Sequence, residues 1–242
     1  MSTHALPRVA RPSARRFAAS PAAAQTLWLG GGLLVGFLVP FVFADTLELQ
    51  RDLYYGIYIA AVVGFVALWA RTTGLSLRAA ASRRLPWAVA LGVAFGAVLA
   101  VMVWRTEDAT PRPDGLEFVA AVVWRGLVYG MADGLLLSAF PILAVFAAFA
   151  GTRLRRSRTG TVLVALVAMA ASLAMTAVYH AGYSEFRGEK LAKPMTGDVI
   201  WSAPTLLTLN PVGAPIAHAA MHTAAVAHSY ETDTFLPPHP AG

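Results

Sequence analysis

His218 and His222 stand four residues apart in Ala217-His218-Ala219-Ala220-Met221-His222. On an α-helix residues i and i+4 share one face, so the two imidazoles are spaced to clamp one metal ion or one polarised water. His180, in Val178-Tyr179-His180-Ala181-Gly182-Tyr183, is the candidate third ligand from another helix. His180, His218 and His222 together point to a site for one divalent metal ion such as zinc, with no thiolate required. The competing reading is that each imidazole only hydrogen-bonds to carbonyls or lipid headgroups. His228 and His239 fall toward the polar C-terminus and read as solvated, and His4 reads as tail.

Arg125, Asp133 and, marginally, Glu117 are the charged groups that fall inside apolar runs. A charge at membrane depth costs roughly 2.5–3.5 kcal/mol on insertion scales, so each needs a partner or a task. Glu117 and Asp133 are each eight residues from Arg125 and not its helical neighbours. A carboxylate or free carbonyls from another segment are therefore expected beside Arg125. The stretch between the paired histidines is Ala219-Ala220-Met221, which lacks the glutamate of a His-Glu-x-x-His protease. A Walker loop, a dinucleotide glycine fingerprint, a Gly-x-Ser-x-Gly elbow and an interleaved basic and aromatic strand for nucleic acid are also absent.

The elements that must position these groups follow from composition. The 242 residues are 57% hydrophobic and 13% charged, against roughly 25% charged in soluble domains. So few charges cannot cover a soluble surface, and the chain is too apolar for disorder. Lipid is the expected solvent. With no cysteine, disulfides, thiolate metal sites and palmitoylation are excluded.

Apolar runs of spanning length cover Leu27–Ala44, Leu53–Ala70, Pro86–Trp104 and Thr159–Tyr179. At 1.5 Å per residue such runs match a hydrocarbon core of ~30 Å. A signal peptide cleaved before Asp45 is the rival reading of the first. Leu116–Gly151 is too long for one straight crossing, so one crossing plus a re-entrant or tilted half-helix is expected, bent near Asp133–Gly134 or at Pro141. Val199–Ala227 carries Pro204, Pro211 and Pro215, which predicts a kinked or split helix whose freed carbonyls are re-satisfied by neighbours. The expected fold is all-α, a polytopic transmembrane bundle of about 6–7 membrane helices. Residues 1–25 form a disordered basic tail, 26–228 the transmembrane domain and 229–242 a disordered C-terminal tail. Among possible small-residue packing faces, the ladder Gly126, Gly130, Gly134 is the informative one.

Net charge is +6, and 17 of the 19 basic residues are arginines gathered in short runs. Four precede the first span, one lies in 45–52, four in 71–85, two in 105–114 and four in 152–158. That alternation follows the positive-inside rule. It predicts a cell-membrane protein with a cytoplasmic N-terminus, an odd number of crossings between 115 and 151, the lipid bilayer as partner and no nucleic acid.

Ala120-Ala121-Val122-Val123-Trp124-Arg125-Gly126, Tyr179-His180 and His218-x-x-x-His222 resemble the three motifs of the CAAX-protease and bacteriocin-processing (CPBP) intramembrane family. The family's first motif is a glutamate pair followed by arginine four residues after its second glutamate. Arg125 and Gly126 match, while Ala120 and Ala121 replace both glutamates. The second motif, an aromatic residue several positions before a histidine, is met loosely by Met175 or Thr176 before His180, and the third has asparagine where this chain has His222. The resemblance implies amide hydrolysis on a peptide or membrane-protein substrate, with Arg125, His180, His218 and His222 as the catalytic set lining one polar cavity. In that family a glutamate activates water and the histidines polarise it or hold the oxyanion. The lost glutamates imply a non-catalytic descendant or a hydrolase with a relocated base, Glu117 serving only if the helix shifts by one turn. The alternative is a small transporter, channel or scaffold in which the Asn210-Pro211 break lines a path.

Overall fold

The computed structural model describes residues 22–231, and no strand occurs among them. His4 and His239, most of the predicted N-terminal tail and residues 232–242 lie outside that range. Eight helices follow one another: α1 Ala22–Thr46, α2 Arg51–Thr73, a short α3 Leu77–Ser82, α4 Leu85–Thr106, α5 Gly115–Ala148, α6 Arg158–Ala181, α7 Ala192–Thr208 and α8 Gly213–His228. Five of them, α1, α2, α4, α5 and α6, are long and apolar enough to cross a membrane. Local signals fix several ends. The Gln50 side chain accepts from the Asp52 and Leu53 amides at the start of α2, Gly74 ends α2 at φ 71°, and the Ser157 hydroxyl accepts from Gly160 N at the start of α6.

Polar bonds between helix ends show how far α7 and α8 run. At their junction Asn210 donates from Nδ2 to Ala81 O (2.8 Å) and Arg83 O (2.6 Å), just before α4 begins. At the far end of α8, the Thr110 amide donates to His228 O, just after α4 ends. α7 and α8 therefore cross the bundle through the same depth as α4, and with the five long helices they make the all-α bundle seven rods deep in sequence. The predicted proline break is present: Leu209 is left-handed at φ 53°, between α7 and α8. Its freed groups are paired, with Thr208 Oγ1 donating to Pro204 O and Thr205 Oγ1 donating to Asn210 O while accepting from Ala214 N. That is the condition for broken backbone at membrane depth.

The expected re-entrant half-helix is absent. Residues 115–148 form one uninterrupted helix that takes up its extra length in two π-helical stretches, Val122–Tyr129 and Leu135–Ala139. Pro141 sits just after the second, at the start of a new α-helical register, where its missing N–H costs little. This helix is the axle of the bundle: 83% of its most apolar window is buried, against 28% for α1, α4 and α6. Leu34, Val63, Leu68, Trp87, Val93 and Leu166 point outward from the surrounding helices, as an apolar solvent requires.

Glycines bring α8 against two helices at once. A methyl group on Gly126, Gly130 or Gly134 of α5 would come within 2.7–2.8 Å of Thr223, Ala219 or Pro215 of α8. The ladder is thus a contact face, stepped every four residues on both partners. Gly92 and Gly96 of α4, uninformative by spacing alone, abut α8 on its other side just as closely.

Two tail boundaries differ from expectation. α1 starts at Ala22, and Gln25 is buried, accepting from the Trp69 indole N–H at 2.9 Å. Residues 229–231 are docked: the Tyr230 ring lies under the Arg125 guanidinium, and Glu231 N donates to Thr110 Oγ1. His228, expected to be solvated, stacks on Trp104 with ring centroids 4.5 Å apart and meets Glu107 O through Nε2.

Candidate metal centre

The glycine ladder sets the site. At Gly130 the space a side chain would need is taken by His222, and at Gly134 by His218. Asp133 lies between those glycines on α5, so close packing presses its carboxylate against the histidine pair. His218 Nε2 stands 3.3 Å and His222 Nε2 3.5 Å from the same oxygen, Asp133 Oδ2. The other oxygen, Oδ1, accepts from the Tyr58 hydroxyl of α2 at 2.6 Å. Asp133, His218 and His222 form the set of potential metal ligands found among the described residues, their ligand atoms all within 4.8 Å of one another and all three buried.

Aromatic rings hold the imidazoles in place. The two histidine rings are parallel within 2°, with centroids 4.8 Å apart. Trp201 lies tilted over His218 at 4.2 Å and Tyr129 meets His222 edge-on at 5.0 Å. Nδ1 of both histidines and Nε2 of His222 are buried without a hydrogen-bond partner. Polar nitrogens so placed are costly unless another group occupies the focus.

Next to this centre runs a chain of tyrosine hydroxyls. Tyr129 meets Tyr179 at 2.5 Å, Tyr179 meets Tyr183 at 2.7 Å, and Tyr183 meets Tyr54 at 2.5 Å. Tyr54 lies one turn into α2 and Tyr183 just beyond α6, so the chain descends from one face of the bundle to the edge of the histidine pair. Tyr58 and His222 lie seven and six residues from the helix ends at that face, a depth of ~10 Å at 1.5 Å per residue.

The sequence-predicted residues separate into three environments. His218 and His222 meet as the spacing requires. His180 is buried beside them and within electrostatic reach of Asp133, His218 and His222, but its ring nitrogens do not join that ligand set. Its Nδ1 engages Thr176 O at 2.8 Å, and its ring packs between Tyr179 and Phe186. Nδ1 then carries the proton, leaving Nε2 with a lone pair. Arg125 turns away toward Asp52 on α2, donating from Nε at 2.8 Å and Nη2 at 2.7 Å in a bidentate pair. This supplies the partner from another segment that its position demanded. Asp133, noted in the sequence only as an expensive buried charge, is the carboxylate of the centre. Glu117 lies in the first turn of α5, sixteen residues before Asp133.

Comparison with protein-family models, curated proteins and solved structures yields no significant match.

Proposed function

We propose that this protein is a membrane-embedded hydrolase of the CPBP kind whose water-activating centre is one divalent metal ion, zinc by preference, held by Asp133, His218 and His222. One observation carries the reading: the 3.3 and 3.5 Å separations from Asp133 Oδ2 to the two Nε2 atoms. Zinc with bonds of ~2.0–2.1 Å in a tetrahedral site has ligand atoms about 3.3–3.4 Å apart, which these two separations match, and the whole triad lies within 4.8 Å. Direct imidazole–carboxylate hydrogen bonds are shorter, about 2.7–2.9 Å. A zinc ion on these residues would have three protein ligands, the number found in catalytic rather than structural zinc sites. A bound metal would lower the pKa of its water toward neutrality.

The chain's own residues supply the rest. Tyr58 fixes the Asp133 carboxylate through Oδ1, the outer hydrogen bond that orients a metal ligand. His180, with Nδ1 on the Thr176 carbonyl, keeps the lone pair of Nε2 free to accept a hydrogen bond. Asp133 thus stands in for the carboxylate that Ala120 and Ala121 cannot provide. Arg125 is a positioning residue, tying α5 to α2 and Tyr230 above the site. A peptide or membrane-protein substrate is what the motif resemblance implies.

A cell-membrane location with the N-terminus in the cytoplasm is supported by the loops. The segments 74–84 and 149–157 hold six arginines in 20 residues, whereas 45–52, 105–114 and 182–191, which adjoin the tyrosine chain's end of the bundle, hold five basic residues in 28. The centre then lies nearer the outer face, ~10 Å from the helix ends there. A transporter reading would want the interrupted helix near mid-depth, but the Asn210 break lies at the arginine-bearing end beside Arg83.

The test is metal content and turnover of the purified protein. We expect one equivalent of zinc, lost in Asp133→Asn, His218→Ala and His222→Ala together with cleavage of membrane-anchored peptides. His180→Ala keeps the metal and loses turnover. Zinc-free wild-type protein with chelator-resistant cleavage would overturn the proposal.

A further inference from the structure

A second polar centre lies in the bundle, built from oxygen alone. Asp198 of α7 is fully buried, and its Oδ1 accepts from Ser138 of α5 (3.2 Å), Ser172 of α6 (3.0 Å) and Ser202 of α7 (2.7 Å). The serine oxygens also crowd one another, with Ser138 to Ser202 at 2.6 Å and Ser172 to Ser202 at 2.9 Å, and Ser172 reaches Leu137 O at 2.8 Å. Leu137 lies within the π-helical stretch Leu135–Ala139, where the widened turn alters the carbonyl pairing of α5. Three helices thus deliver three hydroxyls, a carboxylate and a backbone carbonyl to one point.

The second carboxylate oxygen, Oδ2, is buried with no hydrogen-bond partner. Among the described residues no arginine, lysine or histidine forms a salt bridge with Asp198. A bare carboxylate in such a place is costly by several kcal/mol, so it must hold either a proton or a cation. The Trp201 indole N–H, three residues further along α7, is likewise buried without a hydrogen-bond partner. Indole N–H only donates. The seven contacts within the cluster have only three hydroxyl hydrogens to fill them. Lone pairs are therefore in excess, which is the condition for a hard cation that takes oxygen ligands. One carboxylate and otherwise neutral oxygens balance a single positive charge.

We propose that Asp198, Ser138, Ser172, Ser202 and the Leu137 carbonyl form a binding site for one monovalent cation, sodium, distinct from the Asp133 centre. Trp201 lies between the two, on the same helix as Asp198 and against His218. A seated cation would fix α7 and so the ring that backs His218.

The experiment uses full-length, chelator-treated protein in lipid nanodiscs, compared in sodium chloride and choline chloride at equal ionic strength. Equilibrium dialysis with radioactive sodium is expected to find one saturable ion per chain. The melting temperature is expected to rise by roughly 5–10 °C at a hundredfold excess over the dissociation constant. Asp198→Asn abolishes both effects. Ser172→Ala, which keeps the carboxylate, weakens binding at least tenfold, and it carries the comparison should Asp198→Asn not fold. His222→Ala retains sodium binding, separating this site from the metal centre. Identical melting in the two salts with no saturable sodium, or a melting temperature that answers to pH but not to the cation, would overturn the proposal.

Discussion

Gly130→Ala tests whether the glycine ladder holds the metal centre in register. The added methyl carbon would lie 2.7 Å from Ala219 Cα, 3.0 Å from His222 Cδ2 and 3.2 Å from Ala219 N. Carbon atoms rest at about 3.5–4.0 Å, so α8 must retreat by about 1 Å. Overpacking of this kind costs ~1–3 kcal/mol, or a fall in melting temperature of roughly 2–12 °C for a chain of this size. Metal sites tolerate ligand displacements of only about 0.2 Å, so the 3.5 Å separation of His222 Nε2 from Asp133 Oδ2 would open beyond what one zinc ion bridges. Zinc affinity should fall roughly 100-fold, the upper end of what displacing a ligand's support costs. The assay is zinc competition against a fluorescent chelator, read beside thermal melting. Gly92→Ala is the control, because its methyl would meet Gly213 O at 2.8 Å and Ile216 at the far end of α8. That variant should lose similar stability while keeping zinc affinity within a few-fold. Native zinc affinity in Gly130→Ala, or equal losses in both variants, would refute the reasoning.

Three further outcomes follow from the same contacts. Tyr58→Phe removes the 2.6 Å hydrogen bond to Asp133 Oδ1 with little change in volume. Zinc affinity should drop about 10–100-fold with little change in melting, as calorimetric titration would show. Arg125→Ala breaks the bidentate bond to Asp52; with the Asp52 side chain 36% exposed, solvent limits the loss to about 1–2 kcal/mol. Its melting temperature should fall while zinc stoichiometry stays at one. Asn210→Ala leaves the carbonyls of Ala81 and Arg83 without this donor, a cost of about 1–3 kcal/mol at the usual net worth of two hydrogen bonds, measurable as a loss of thermal stability.

The rods of the bundle were legible because apolar length is a strong signal and lipid demands complete helices. The proline break between Thr208 and Gly213 was legible for the same reason. The uninterrupted course of α5 was not, because π-helical turns leave no compositional mark and Pro141 looks like a breaker wherever it stands. The pairing of His218 with His222 followed from their spacing on one turn. Their third partner did not, since Asp133 is 85 residues earlier in the chain and meets them only through the contact of Gly130 and Gly134 with α8. The ladder and the buried charge were both visible, and their adjacency was the clue that could have joined them. Asp52 resembled an ordinary loop charge at the start of α2, so nothing marked it as the partner of Arg125. Ser138, Ser172, Ser202 and Asp198 come from three helices, and single serines in apolar runs carry no pattern. Tyr54 and Tyr58, like Tyr179 and Tyr183, are spaced one turn apart; that periodicity was the readable trace of the hydroxyl chain.

The most direct test of the Asp133–His218–His222 centre is X-ray absorption at the zinc edge of the purified, zinc-loaded protein. The geometry predicts a nitrogen and oxygen shell at ~2.0–2.1 Å with outer scattering from two imidazoles. A shell of oxygen alone without imidazole scattering, or zinc retained at full stoichiometry in His222→Ala, would contradict it.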